Sequence, residues 1–164
     1  MAKIELKQPV VEEIKGYAEK ATSAVLVDYR GLTVAEDTEL RKKLRAAGVV
    51  YKVYKNTMLN FAFKGTAFEA LSKDLNGPTA VAFGVEDATA PARVLLECSK
   101  TMPKLEYKSG VVEGVYYDSK GIQTIGSIPS REVLISKLLG SLQAPIANLA
   151  RVLKQIAEKK EGQA

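Results

Sequence analysis

The chain has no histidine and a single cysteine, Cys98, among its 164 residues. Without histidine there is no imidazole base for proton transfer and no Cys/His metal cluster. One cysteine cannot close an internal disulfide, which fits a reducing cytosol. Phosphate-cradling loops are missing too: there is no G-x-x-x-x-G-K-[ST], and no G-x-G-x-x-G follows a strand, so a nucleotide site has no support. No apolar run approaches the roughly 18 to 20 residues that cross a bilayer, and Met1 to Gln8 lack the apolar centre of a signal peptide. The chain is therefore expected to stay in the cytoplasm and to engage no membrane. Internal repeats are absent, and low complexity is confined to a polar tail from Glu158 to Ala164, expected to fray.

What is present describes a folded, basic protein. Hydrophobic residues make up 46% and charged residues 26%, which predicts one core with room for an appendage. The net charge of +5 is unevenly spread. Residues 66–140 carry 8 basic and 9 acidic side chains, whereas Arg30 to Lys64 alone carries 8 basic against 3 acidic. That stretch is where a phosphate backbone is expected to sit.

Helical spacing of Val10, Ile14, Tyr17, Ala18 and Ala21 predicts a helix from Pro9 to Ala21. Ala24 to Asp28 reads as a buried strand leading into Tyr29-Arg30-Gly31-Leu32. Thr33 and Glu36 form a capping box that opens the next helix, which Gly48 closes. Val49 to Tyr54 is a strand, and Asn56 is placed as the cap of another helix. A second capping box, Thr66 with Glu69, is expected to start a short helix ending at Asn76-Gly77-Pro78. Thr79 to Val85 follows as a strand, Pro91 to Met102 as a helix with Val94, Leu95, Cys98 and Met102 inside, and Leu105 to Val112 with Val115 to Tyr117 as a hairpin. In that hairpin Gly110 is read as a bulge and Gly114 as a turn. From Ser130 two more helices are expected, separated by a kink or break at Pro145. The pattern is α+β: a mixed β-sheet with packed helices, then a C-terminal helical segment.

Two features carry function. At the ends of two strands, Arg30, Gly31, Lys52, Lys55, Asn56 and Thr57 bring cations and helix N-terminal amides together, with Tyr51 and Tyr54 interleaved, as RNA binding requires. The bland alternative is that Arg41, Lys42, Lys43 and Arg45 only solvate a helix face. The second feature is the stripe Leu142, Ile146, Leu149, Leu153 and Ile156, with Asn148, Arg151, Lys154, Gln155, Glu158 and Lys159 largely off it. It either folds back on the chain's own core or docks another protein, and the basic flank suggests an acidic partner. Catalytic readings are weaker: Cys98 lies on an apolar helix face with nothing to activate it, and Asp37 and Glu39 sit at a helix start where acids are expected anyway.

Several segments, in order, resemble a known family. Tyr29-Arg30-Gly31-Leu32-Thr33, Leu44-Arg45-Ala46-Ala47-Gly48-Val49, Tyr51-Lys52-Val53, Lys55-Asn56-Thr57, Gly77-Pro78-Thr79-Ala80, Ile128-Pro129-Ser130-Arg131-Glu132 and Leu138 to Pro145 are similar to the bacterial large-subunit ribosomal protein ten, the stalk-base proteins. The resemblance runs from about Val10 to Lys160. It implies a ferredoxin-like globular domain, residues 1–128, that binds large-subunit rRNA beside a neighbouring stalk-base ribosomal protein. It also implies C-terminal helices, 129–164, forming a protruding helical rod. Within that rod, 144–160 would dock acidic stalk-protein dimers, two by length, and so recruit translational GTPases indirectly. The chain would be a structural constituent of the cytoplasmic large ribosomal subunit, with no enzymatic activity and no cofactor. The nearest rival is a family of ribosome-assembly factors that shares the globular part but lacks the docking helix; a small-molecule enzyme is the other.

Overall fold

A computed structural model describes residues 8–161, with side chains at Ala157 and beyond Glu158 excepted. The expectations for Met1 to Lys7 and for residues 162–164 of the polar tail lie outside the described residues; residues 158–161 of that tail are helical. Two compact units are present, Met1–Ile128 and Pro129–Ala164. The elements of the first are α1 (Gln8–Lys20), β1 (Ser23–Asp28), α2 (Val34–Ala46), β2 (Val49–Val53), α3 (Asn56–Phe63), a 3₁₀ helix (Glu69–Asp74), β3 (Ala80–Gly84), α4 (Ala90–Thr101), β4 (Glu106–Val112), β5 (Val115–Asp118) and α5 (Ser119–Gly126). The second holds one helix, α6 (Arg131–Glu161).

The five strands form one sheet in the order β2-β3-β1-β4-β5. β1 and β2 run the same way, joined by the α2 crossover, but β3 lies between them and pairs antiparallel with both. This split βαβ arrangement is ferredoxin-like, with β5 added beyond β4. The α+β class holds, and the sheet proves antiparallel throughout where a mixed one was expected. The interleaving of strands is the reason: β3 lies between β1 and β2, and β1 lies between β3 and β4, so neither crossover through α2 or α4 ends in a parallel pairing.

Helices cover both faces of the sheet. On one, Leu40 and Leu44 of α2, Leu95 and Cys98 of α4 and Ile122 of α5 pack against Val25, Val27 and Tyr51. On the other, Ile14 of α1, Leu59 and Phe63 of α3 and Leu71 of the 3₁₀ helix pack against Leu26, Val81 and Phe83. The central strands β1 and β3 are accordingly apolar on both sides rather than alternating.

Local signals were met where the chain needed no distant partner. Thr33 and Glu36 close their capping box, with the Thr33 amide donating to Glu36 Oε2 at 2.7 Å. Gly48 ends α2 at φ +70°, and Glu113 and Gly114, at φ 52° and 80°, make the two-residue turn between Val112 and Val115. Three expectations are corrected. The second capping box does not form: the Thr66 hydroxyl donates to the Phe63 carbonyl at 2.8 Å, and a 3₁₀ helix begins at Glu69 without a side-chain cap. The cap of α3 is Lys55, and Asn56 lies inside the helix with its side-chain amide committed elsewhere. The β4 bulge is at Lys108, since Leu26 faces Ser109 while Val27 faces Tyr107. Gly110 serves close packing instead: a Cβ there would lie 2.4 Å from Ile122 Cδ1. Helix α5, not expected from the sequence, sits on that gap, and its Gly126 is held against the backbone of α4, where a Cβ would meet the Ala92 carbonyl at 2.7 Å.

The second unit also departs from expectation. α6 is one run of 31 residues through Pro145, not two helices. A proline removes one intrahelical hydrogen bond, and here the helix continues on the others. By length and composition Arg131–Ile156 is long and apolar enough to cross a membrane, although no uninterrupted apolar run within it is. Ser136, Lys137, Ser141, Gln143, Asn148 and Arg151 break those runs without lowering the average enough.

Candidate nucleic-acid interface and partner-binding helix

The antiparallel insertion of β3 decides what lies at one end of the sheet. Val27 of β1 and Val53 of β2 are both opposite Ala80, so the two strands finish level. Arg30 and Gly31 leave one strand there, and Lys55, Asn56 and Thr57 leave the other. The chain turns after β1 because the Arg30 amide donates to Asp28 Oδ1 at 2.8 Å and Gly31 adopts φ +88°. Across the turn lies Lys104, whose Cδ would sit 3.3 Å from a Cβ at Gly31. Asp28, Arg30, Lys104 and Glu106 border a recess of about 460 Å³.

The β3 approach, Asn76-Gly77-Pro78-Thr79, is fixed at the same end by two side chains. The β4 bulge turns Lys108 so that its ammonium donates to the carbonyls of Asn76 at 2.6 Å and Pro78 at 2.5 Å and to Thr79 Oγ1 at 2.9 Å. Burial lowers the pKa of Lys108, with Asp28 opposing. From the other side, Asn56 Nδ2 donates to the carbonyls of Leu75 at 2.9 Å and Gly77 at 2.8 Å. Asn56 thus ties the start of α3 to this loop.

Of the six residues singled out from the sequence, Arg30, Gly31, Lys55, Asn56 and Thr57 gather at this end. Lys52 is directed differently. Its ammonium pairs with Glu13 of α1 and lies 5.1 Å from the centre of the Tyr17 ring, and the bond to Glu13 raises its pKa. Tyr51 is buried, with Arg41 5.3 Å over its ring while the same guanidinium pairs with Asp37 at 2.8 Å. Arg41 is thus engaged by its own helix and by β2. Lys104 and Lys108 were missed. They belong to a segment of slightly negative net charge, and only strand pairing brings them beside Arg30 and the loop.

Enzymatic candidates lead nowhere. Cys98 is fully buried, and burial raises its thiol pKa. Asp37 is occupied by Arg41, whose Nε donates to Asp37 Oδ2 at 2.8 Å. No group of three or more potential metal ligands occurs among the described residues.

On α6 the stripe residues are all solvent-exposed: Leu142 67%, Ile146 75%, Leu149 62%, Leu153 58% and Ile156 49%. The unbroken helix lengthens the stripe, since Ile135, Leu138 and Leu139 are 47–60% exposed. Ile135, Leu142, Leu149 and Ile156 recur every seven residues, about 20° short of two turns, so they share one face. From Ile135 to Ile156 that face is about 32 Å long at about 1.5 Å per residue.

Comparison with known proteins matches both units. The family described as "Ribosomal protein L10" covers residues 2–100, and the one described as "Ribosomal protein uL10 C-terminal region" covers residues 128–163. The chain is 54% identical to the large ribosomal subunit protein uL10 of Alkaliphilus metalliredigens over 98% of its own length and 96% of that protein. It is 52% identical to the uL10 of Clostridioides difficile over the same shares. With the uL10 of Staphylococcus carnosus it shares 49% identity over 96% of this chain and 95% of the other.

Proposed function

The chain belongs to the ribosomal protein L10 family, and from that membership we propose how its two units divide the work. It is a non-enzymatic, structural constituent of the large ribosomal subunit in the cytoplasm. Residues 1–128 bind large-subunit rRNA at the sheet end, next to a neighbouring stalk-base ribosomal protein. Arg30, Lys55 and Lys104 neutralise phosphates, and the first amides of α3 at Asn56 and Thr57 add donors of fixed direction. Gly31 keeps the β1 turn low enough for Lys104 to lie across it. Lys52 contributes less, because Glu13 already balances its charge.

Residues 129–164 carry the stalk. Segment 144–160, with Leu142 just ahead of it, docks acidic stalk-protein dimers, two of them, through Leu142, Ile146, Leu149, Leu153 and Ile156, and the dimers in turn recruit translational GTPases. The observation that carries this reading is the exposure of all five stripe residues on one continuous helix. Burying each large aliphatic side chain contributes on the order of 1.5 to 3 kcal/mol, so a few of them suffice to hold a dimer. Arg151 and Lys154 mainly speed encounter with an acidic partner, an effect that salt screens.

The test is the native mass of the complex with the acidic stalk protein. The wild-type chain is expected to carry two dimers, Leu149→Asp and Leu153→Asp to lose at least one, and a chain ending at Ser141 to carry none while still binding RNA. Retention of all dimers by the shortened chain would refute the assignment.

A further inference from the structure

Phe61 is 63% exposed, an unusual position for a phenylalanine on a domain whose other phenylalanines, Phe63, Phe68 and Phe83, are buried. It lies one helical turn beyond Thr57 on the same face of α3, and with Met58 and with Val11 of α1 it lines a groove of about 730 Å³. That volume falls within the roughly 300 to 1,000 Å³ of ligand clefts. Lys64 Nζ lies 5.5 Å from the ring centre, Lys15 borders the groove from α1, and no acidic residue occurs from Lys55 to Phe68.

We propose that this groove receives an unpaired RNA base, stacked on the Phe61 ring, with its flanking phosphates on Lys15 and Lys64. The inference rests on the rRNA-binding reading and extends its surface from the start of α3 along the helix. The chemistry favours a base over a protein side chain. A single exposed aromatic ring walled by Val11 and Met58 is a stacking platform, every base has a face to offer it, and the lysines match the charge of the backbone on either side. Glu12, a carboxylate in the groove wall, suits a base bearing an exocyclic amino group, as cytosine does.

The test uses the full-length chain titrated with transcribed large-subunit rRNA over a range of salt concentrations. Phe61→Leu keeps an apolar side chain but removes the ring, and is expected to weaken binding by about 5- to 150-fold, corresponding to about 1 to 3 kcal/mol per stacked base. Its salt dependence should match wild type, because no charge is lost. Phe61→Tyr, which retains the ring, should stay within about threefold of wild type, and Lys64→Ala should lower the salt slope by about 0.7 to 0.9. If the wild-type chain binds the RNA and Phe61→Leu binds equally well, the stacking site is overturned while the rRNA reading stands; a groove serving a protein would give that result. If the wild type itself fails to bind, the rRNA reading falls first.

Discussion

Replacing Lys108 with methionine keeps an unbranched apolar stem of nearly the same length while removing the ammonium and its three donors. Hydrogen bonds to charged groups contribute roughly 1.5 to 3 kcal/mol each, but the three here do not count equally. The Asn76 carbonyl belongs to an exposed residue, so water replaces the ammonium there at little cost. Pro78 is half-buried, and Thr79 is 2% exposed with its hydroxyl already donating to Gly77. Discounting the first contact and part of the second leaves a loss of about 2 to 3 kcal/mol. With a urea m-value near 2 kcal/mol/M, the midpoint should fall by about 1 to 1.5 M. Tyrosine fluorescence is the suitable probe, because all seven tyrosines lie within residues 1–128 and there is no tryptophan. The same variant should bind rRNA more weakly, since the loop that Lys108 holds is also bound by Asn56 at the start of α3. An unchanged midpoint would refute the role of the bulge. A lowered midpoint with unchanged RNA affinity would separate this loop from the interface.

Two other outcomes follow from the same geometry. Lys55→Ala should weaken rRNA binding and reduce the salt slope by about 0.7 to 0.9, whereas Lys52→Ala, whose charge is balanced by Glu13, should change the slope by less than half of that; equal effects in filter binding would contradict the pairing. Gly126→Ala should destabilise the first unit by about 1 to 3 kcal/mol, because the new methyl meets main-chain atoms of α4 that cannot step aside. Gly16→Ala, in α1 with nothing within 4 Å, should instead stabilise by up to about 1 kcal/mol. Thermal melts of the two variants read the opposite signs directly.

Signals contained in a few consecutive residues were legible in the sequence. The Thr33–Glu36 box, the Gly48 stop, the Glu113-Gly114 turn and the apolar faces of α1 and α4 all depend on neighbours within one or two turns, so composition and spacing suffice. The stripe on α6 was legible for the same reason, because a helix projects every third or fourth residue to one side whatever surrounds it. Thr66 and Asn56 show the limit. Each has the right residue type for a cap, yet each hydroxyl or amide found a better partner: Thr66 in the Phe63 carbonyl, and Asn56 in a loop about 20 residues away.

The tertiary structure alone decided the membership of the sheet end. The sequence placed cations near Arg30 and Lys55, because charge can be counted along a chain. It could not show that β3 would insert between β1 and β2, bringing both strand ends level, or that a one-residue bulge in β4 would turn Lys108 onto the loop. Those contacts join residues 27 to 80 positions apart, and their existence depends on strand order and register, which single-residue propensities do not encode. The same holds for Lys52, whose charge counted as free until α1 was seen to set Glu13 against it, and for Gly110, which reads as a backbone irregularity until Ile122 of α5 is found to fill the space that a side chain would take.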